Sequence, residues 1–365
     1  MRVESLGFLR FAASIIIVLF HYRYDSSATD IAFIFWPVFD GHHMVTFFFV
    51  LSGYVNYIAY GGKPGSSNAY STKRFLISRM ARILPLYFLA LLLAVLAFTA
   101  AGQKLEWPEI LLHLSLMQAW IPAYAQSINF VTWTLSVDLF LYIAFPFALA
   151  WMHRPQRTFK QILVMNTLLY LFTWFALMLM FSDSSYPGEP SNMHNFVHNF
   201  PVFHLSAFLL GMLAGYWITH AQLEGASLGS DTAVVVLLIA VFSLIGFSRE
   251  IDELFGFVFT TPMVYSPLFA IILLALTLNK GFVARILGQP IFVYLGSLSY
   301  GIYIFQILVW LIYKSIFKNL FPNLSEIEHL VVGVLVLCAF AAMTYHAVEK
   351  PGNHLLRRKL RQWIK

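Results

Sequence analysis

The sequence predicts an all-α integral membrane protein of about ten transmembrane helices, with both termini in the cytoplasm. Three observations carry this. The chain is 59% hydrophobic and only 11% charged, whereas soluble domains carry about a quarter charged residues. Its apolar residues gather in runs close to the roughly 20 residues that cross a bilayer. Its basic residues, finally, are distributed unevenly across the topology those runs imply.

The runs are 6–22, 43–60, 83–101, 131–152, 160–181, 201–220, 232–247, 257–278, 291–317 and 328–348. A further apolar stretch, about 110–121, is bracketed by Pro108 and Pro122 and is too short to cross. It reads as a re-entrant or interfacial segment, which needs protein cover for its backbone. With the N-terminus inside, 18 of the 23 Lys and Arg residues fall on cytoplasmic segments and 5 outside. If residues 110–121 crossed, eleven of those inside positions would be exported. Ten spans therefore fit best. Residues 1–352 then form one membrane-embedded domain, and 353–365 a basic cytoplasmic tail. The net charge of +6 is loop bias and no nucleic-acid footprint. Cys338 is the one cysteine, so neither an intramolecular disulfide nor a cysteine-based metal site is expected.

Chemistry begins in the first span, at Arg10 and His21. Eleven helical positions make about three turns, so both side chains leave one face, roughly 16 Å apart along the axis. Ionisable groups inside an apolar span are costly and mark function by default. The plainer alternative is snorkelling from the two ends of a short helix. Asp138 is the one acid well inside a span, placed by the topology about 10 Å from its outer end. His21, His42 and His43 fall at the same outer depth. A histidine beside an orienting carboxylate is the arrangement of a general base. For Asp138 the alternative is a packing role, and for His43 an ordinary interface position. His194 and His198, i,i+4 in an outer loop, lack a third ligand, and no metal is expected there.

On the inner side, Arg79 and Arg82 stand i,i+3 on one helix face, with Lys73 at the head of the same stretch and the span proper beginning after Pro85. Paired guanidiniums grip phosphates with two donors each. Anchoring near anionic lipid is the simpler alternative. Together the positions suggest a reaction across the membrane. A phosphate-bearing donor rests on the inner arginines, and an arm as long as pantetheine reaches His21.

The combination Arg10-x10-His21, Phe47-Phe48-Phe49-Val50-Leu51-Ser52-Gly53, Arg79-x-x-Arg82-Ile83-Leu84-Pro85 and Trp133-Thr134-Leu135-Ser136-Val137-Asp138 resembles the type-3 acyltransferase family. Leu298-Ser299-Tyr300-Gly301-Ile302-Tyr303 and Val348-Glu349-Lys350-Pro351 add to the likeness. The resemblance implies a ten-helix enzyme that takes acyl groups from a cytoplasmic coenzyme A thioester, acetyl-CoA above all. It implies transfer to a lipid-linked or surface carbohydrate of a bacterial exopolysaccharide or lipopolysaccharide, in the inner membrane. His21 matches the family's essential histidine, Arg10 its paired arginine, and Arg79 and Arg82 the arginines near the nucleotide. Two departures stand out. Asp138 replaces a common glutamate, and Gln306 stands where a histidine often follows the Ser-Tyr-x-x-Tyr run.

His21 is therefore expected to be the base, oriented by Asp138, with an acyl-histidine intermediate as the variant mechanism. Arg10, Arg79, Arg82 and Lys73 are expected on the donor. His43, Trp133, Ser136, Tyr300 and Gln306 are expected along the substrate path. The rival reading is a proton-coupled secondary transporter with His21 and Asp138 as relay. Against it stand the arginine pair and the lack of a visible inverted repeat.

Overall fold

The computed structural model describes residues 5–23, 41–62, 71–220 and 227–362. Arg2, Lys63 and Lys365 of the charge count lie outside these residues. Among the described residues every regular element is helical. α1 (Ser5–Arg23) and α2 (Gly41–Tyr60) are followed by α3 (Thr72–Ala100), a short α4 (Trp107–Leu114), α5 (Trp133–Met152) and α6 (Phe159–Ser182). Next come α7 (Asn192–Asn199), α8 (Leu205–His220), α9 (Asp231–Gly246), α10 (Ser248–Phe255) and α11 (Ser266–Leu278). The last four are α12 (Phe282–Leu287), α13 (Pro290–Leu320), α14 (Glu326–Thr344) and α15 (Lys350–Gln362). Among the described residues six helical stretches are long and apolar enough to cross a membrane, or seven if the bent pair α9–α10 makes one span.

Local chemistry sets the helix starts. Ser71 caps α3 by accepting from the Arg74 amide, and Thr158 with Gln161 and Ser325 with Glu328 form capping boxes on α6 and α14. α3 differs from expectation: it is helical from Thr72, so Pro85 sits inside it and Arg79 and Arg82 belong to the helix proper. Proline inside a membrane helix is tolerated where neighbours satisfy the disturbed backbone. Tyr300 donates its hydroxyl to the Ile83 carbonyl at 2.8 Å, two residues before the proline, and so ties α13 to this part of α3. The run 257–278 is helical only from Ser266. Gly256, with φ of +71°, ends α10, and side chains take up the intervening backbone. Trp174 donates to the Phe259 carbonyl and Tyr170 to that of Val264. Residues 353–362, set apart by composition as a tail, form most of α15, which lies along α3. Arg357 donates to Ser78 Oγ at 3.3 Å.

Two buried cores share α1. Ala13, Ile16 and Ile17 belong to the one built on α2, α8 and α11, and Val18 and Tyr22 to the one built on α3, α13 and α14. α2 and α8 touch backbone to backbone. A Cβ on Gly211 would fall inside van der Waals contact with the Val50 carbonyl, and one on Gly53 with that of Phe208. Small residues allow such approach where hydrophobic association is weak. At the perimeter the apolar side chains point outward, as with Phe172 at 71% exposure and Leu335 at 62%, the inverse of a water-soluble surface.

The 110–121 stretch does not form a crossing helix. α4 gives way to 3₁₀ turns at Gln118–Trp120 and Pro122–Tyr124. Trp107 and Leu111 face outward, while His113 is fully buried on the opposite side. Tyr87 donates to the His113 carbonyl at 2.6 Å, which ties the segment to α3. Burial pushes the His113 imidazole down to about 4. Its contribution to stability is thus complete above the ordinary histidine value of about 6.5 and is lost as pH falls toward 4. The apparent melting temperature in detergent, followed by tryptophan fluorescence, should drop between pH 6.5 and 4. A His113→Leu variant should show a flatter profile over that window, with up to roughly 3 kcal/mol of the acid sensitivity removed.

Candidate active site

Five helices meet around a cavity of about 900 Å³. Into it α1 sends Arg10, α2 Ser52 and Asn56, α3 Arg79 and Arg82, α5 Asp138 and Tyr142, and α13 Tyr300 and Tyr303. The frame is pinned by hydrogen bonds. Ser14 Oγ, one turn past Arg10, lies 2.9 Å from the Arg10 carbonyl and 3.1 Å from that of Ser299, holding α1 to α13. The Tyr303 hydroxyl donates to Val131 O at 3.1 Å and so fixes α13 against the start of α5.

Three guanidiniums share this space. That of Arg79 lies 5.5 Å from the ring centroids of both Tyr60 and Phe75, a cation–π setting. The Nε atoms of Arg10 and Arg79 are buried and meet no acceptor among the described residues. Asp138 has Arg79 and Arg82 as charged neighbours and Tyr142, one turn on, as its hydroxyl neighbour. Glu349 is buried in the π-helical turn Tyr345–Glu349 between α14 and α15, and its charged neighbour is Arg82. Among the groups lining the cavity, three cations face one carboxylate. Buried charge of that sign with donors unspent suits a phosphate-bearing ligand.

A second cavity, about 440 Å³, adjoins the first, and Val45 and Tyr303 line both. Its walls include His21, His42, His194, His198 and Glu189. α1 thus runs from one cavity to the other, with Arg10 on the first and His21 on the second. His21 Nδ1 lies 2.9 Å from Gln306 Oε1. The Gln306 amide is oriented because its Nε2 donates to Tyr303 O at 2.9 Å, which turns its oxygen to the imidazole. A carbonyl oxygen only accepts, so in the neutral ring Nδ1 carries the proton and Nε2 is the basic nitrogen. Tyr22, next in sequence, donates to the Gln306 backbone carbonyl at 2.8 Å and sets the same register.

Not every expected residue joins the site. Asp138 lines the arginine cavity and not the histidine cavity, so the partner of His21 on the α13 side is Gln306. Val131 and Trp133 stand at the outer cavity and Asp138 lies one to two turns deeper along α5. That depth separates the acid from the imidazole. His43 is buried with its ring 4.5 Å from that of Tyr265, while His42 takes the place on the cavity wall. Trp133 lines the outer cavity and Tyr300 the inner one. Ser136 is fully buried and lines neither, and Lys73 is exposed at the start of α3. Among the described residues no group of three or more His, Cys, Asp or Glu is placed to hold a metal ion. Sequence reasoning gives no site role to Tyr142 or Glu189, notes His194 and His198 only for their i,i+4 spacing, and quotes Glu349 only as part of a motif. Tyr142 carries a further local signal, standing i+4 from Asp138.

A helical membrane protein with a basic cavity joined to an imidazole cavity is built for chemistry on an anionic, partly apolar substrate. The acyltransferase-domain family model matches residues 3–346, nearly the whole chain. The chain belongs to that family, the type-3 acyltransferases. It is also 24% identical over 238 residues to ORF330 of Acidianus two-tailed virus, described provisionally as an acetyltransferase; the match covers 65% of each chain. No solved structure matches.

The placement of Asp138 makes a test that needs no substrate. Removing one partner of a buried charge pair costs about 3–5 kcal/mol because the other charge is left uncompensated. Asp138→Asn alone should therefore lower thermal stability in detergent markedly. Combined with Arg79→Gln, it should cost less than the sum of the single changes. Strict additivity in that cycle would show that the two side chains do not interact.

Proposed function

We propose that this acyltransferase moves an acetyl group from acetyl-CoA, held at the arginine cavity, to a hydroxyl of a bacterial surface carbohydrate. The acceptor would be part of an exopolysaccharide or lipopolysaccharide and would meet the thioester at His21. The proposal includes ten spans with both termini in the cytoplasm of a bacterial inner membrane. It rests above all on one observation: the two cavities share Val45 and Tyr303 as common walls. That arrangement supports a donor reaching from the inner arginines to the outer imidazole.

In this reading Arg10, Arg79 and Arg82 bind the donor's phosphates. Asp138 and Glu349 hold the cluster of cations together and do not orient the base. His21 Nε2 takes the proton of the acceptor hydroxyl as its oxygen attacks the thioester carbonyl. A C–O bond forms, the C–S bond breaks, and the proton passes from the imidazolium to the departing sulfur. Gln306 keeps the ring in the tautomer that can do this.

The test uses the purified full chain in lipid nanodiscs. The substrates are acetyl-CoA and de-O-acetylated oligosaccharides from the host's own surface glycan. His21→Ala should insert and fold but lose about 100-fold or more of the transfer rate. Arg79→Gln/Arg82→Gln should lose the thermal stabilisation that coenzyme A gives the parent protein. Retained transfer by His21→Ala would end the base assignment, and unchanged stabilisation in the double variant would end the donor assignment.

A further inference from the structure

The outer cavity contains more than the base. From Glu189 a file of rings runs along one wall to His21. His194 Nε2 lies 3.9 Å from Glu189 Oε2, and the His194 and His198 rings are 4.2 Å apart. His198 and His42 are separated by 5.2 Å, His42 and Phe20 by 4.7 Å, and Phe20 and His21 by 5.4 Å. These are packing distances between rings, and the file makes a continuous surface.

The far end of that surface is built deliberately. Tyr186 Oη and His194 Nδ1 are 2.6 Å apart, and Ser191 Oγ accepts from the His194 amide at 3.0 Å, capping the short helix that carries the histidines. This directs the Nε2 edge of His194 toward Glu189. Phe130 and Trp133 also line the cavity, Phe130 with its ring 5.3 Å from that of His21. No Lys or Arg is among the residues that line it, in contrast to the inner cavity.

We propose that this surface is the acceptor subsite, and that Glu189, positioned by His194, selects a neutral, polyhydroxylated acceptor. The argument is chemical. A carboxylate accepts only, and it matches adjacent hydroxyl groups, which donate. The rings of Phe130 and Trp133 in the lining offer apolar surface to the flat face of a sugar. The lack of a cation, with an acid in its stead, disfavours phosphate and carboxylate groups on the acceptor at this end. Glu189 is a positioning residue at the rim, remote from the reacting atoms. The inference deepens the proposed function and depends on it.

The experiment compares two acceptors in nanodiscs with acetyl-CoA: the de-O-acetylated host oligosaccharide and n-butanol, which has a single hydroxyl. The parent protein should prefer the oligosaccharide strongly in kcat/KM. Glu189→Gln and Glu189→Ala should reduce that preference at least tenfold through a raised KM for the oligosaccharide. Glu189→Asp should recover part of it, and His194→Gln should act in the same direction as Glu189→Gln. Glu253→Gln, on exposed α10, serves as the control and should keep the parent preference. A preference unmoved by Glu189→Gln would overturn the proposal, as would equal losses on both acceptors, the mark of a merely structural role. If the parent protein acylates neither acceptor, the acyl-transfer reading itself falls, and this inference with it.

Discussion

Three guanidiniums gathered inside an apolar helix bundle are the constraint on which the rest of this structure depends. Buried charges of like sign repel and lose their hydration, and the effective cost is several kcal/mol for each. The fold meets it with groups from four helices. Asp138 approaches from α5, Glu349 from the turn before α15, and the rings of Tyr60 and Phe75 face Arg79. Even so the cavity keeps more cation than anion, with guanidinium nitrogens still unspent. A protein under selection for stability alone would have replaced such a cluster with well-packed apolar side chains. Its retention points to a ligand that completes the charge balance.

That constraint explains several local oddities. α3 begins at Thr72, early enough that Arg79 and Arg82 sit on a formed helix with fixed directions. The π-helical turn at Tyr345–Glu349 inserts a residue between α14 and α15 and so re-aims Glu349 at Arg82, a common use of such turns at functional sites. The polar ties between α1, α3 and α13 converge on the same region. Local irregularity is concentrated where the charge is.

Much of the fold is legible in the sequence because a bilayer allows few solutions. Apolar run length marks where helices form, and among the described residues six of them are long and apolar enough to cross a membrane. The relation of Arg10 to His21 is legible for a stricter reason: both stand on one helix, and helix geometry alone fixes their spacing. Errors begin where two elements must be compared. Asp138 and His21 were given equal depth from the ends of different spans, yet a shift of one or two turns along α5 carries the acid into the other cavity. Pro85 reads as a helix start from local preference, but tertiary hydrogen bonding makes it an interior residue. Glu189 lies in a loop and His194 and His198 on the short helix α7 that follows it, and no periodicity encodes how this segment passes the outer cavity.

The two cavities also divide the chemistry by charge, and this bears on direction. The inner one favours anions, while the outer one offers a carboxylate and imidazoles and no Lys or Arg on its lining. A nucleotide thioester would lose its phosphate contacts on advancing past Val45 and Tyr303, so only its slender uncharged arm gains by going further. A neutral acceptor meets the reverse situation, with no incentive to enter the arginine cavity. On the proposed reaction, this difference in charge would hold the donor's phosphates at the inner cavity and a neutral acceptor at the outer one. The reacting carbonyl would then meet the acceptor beside His21, whose side chain lines the outer cavity.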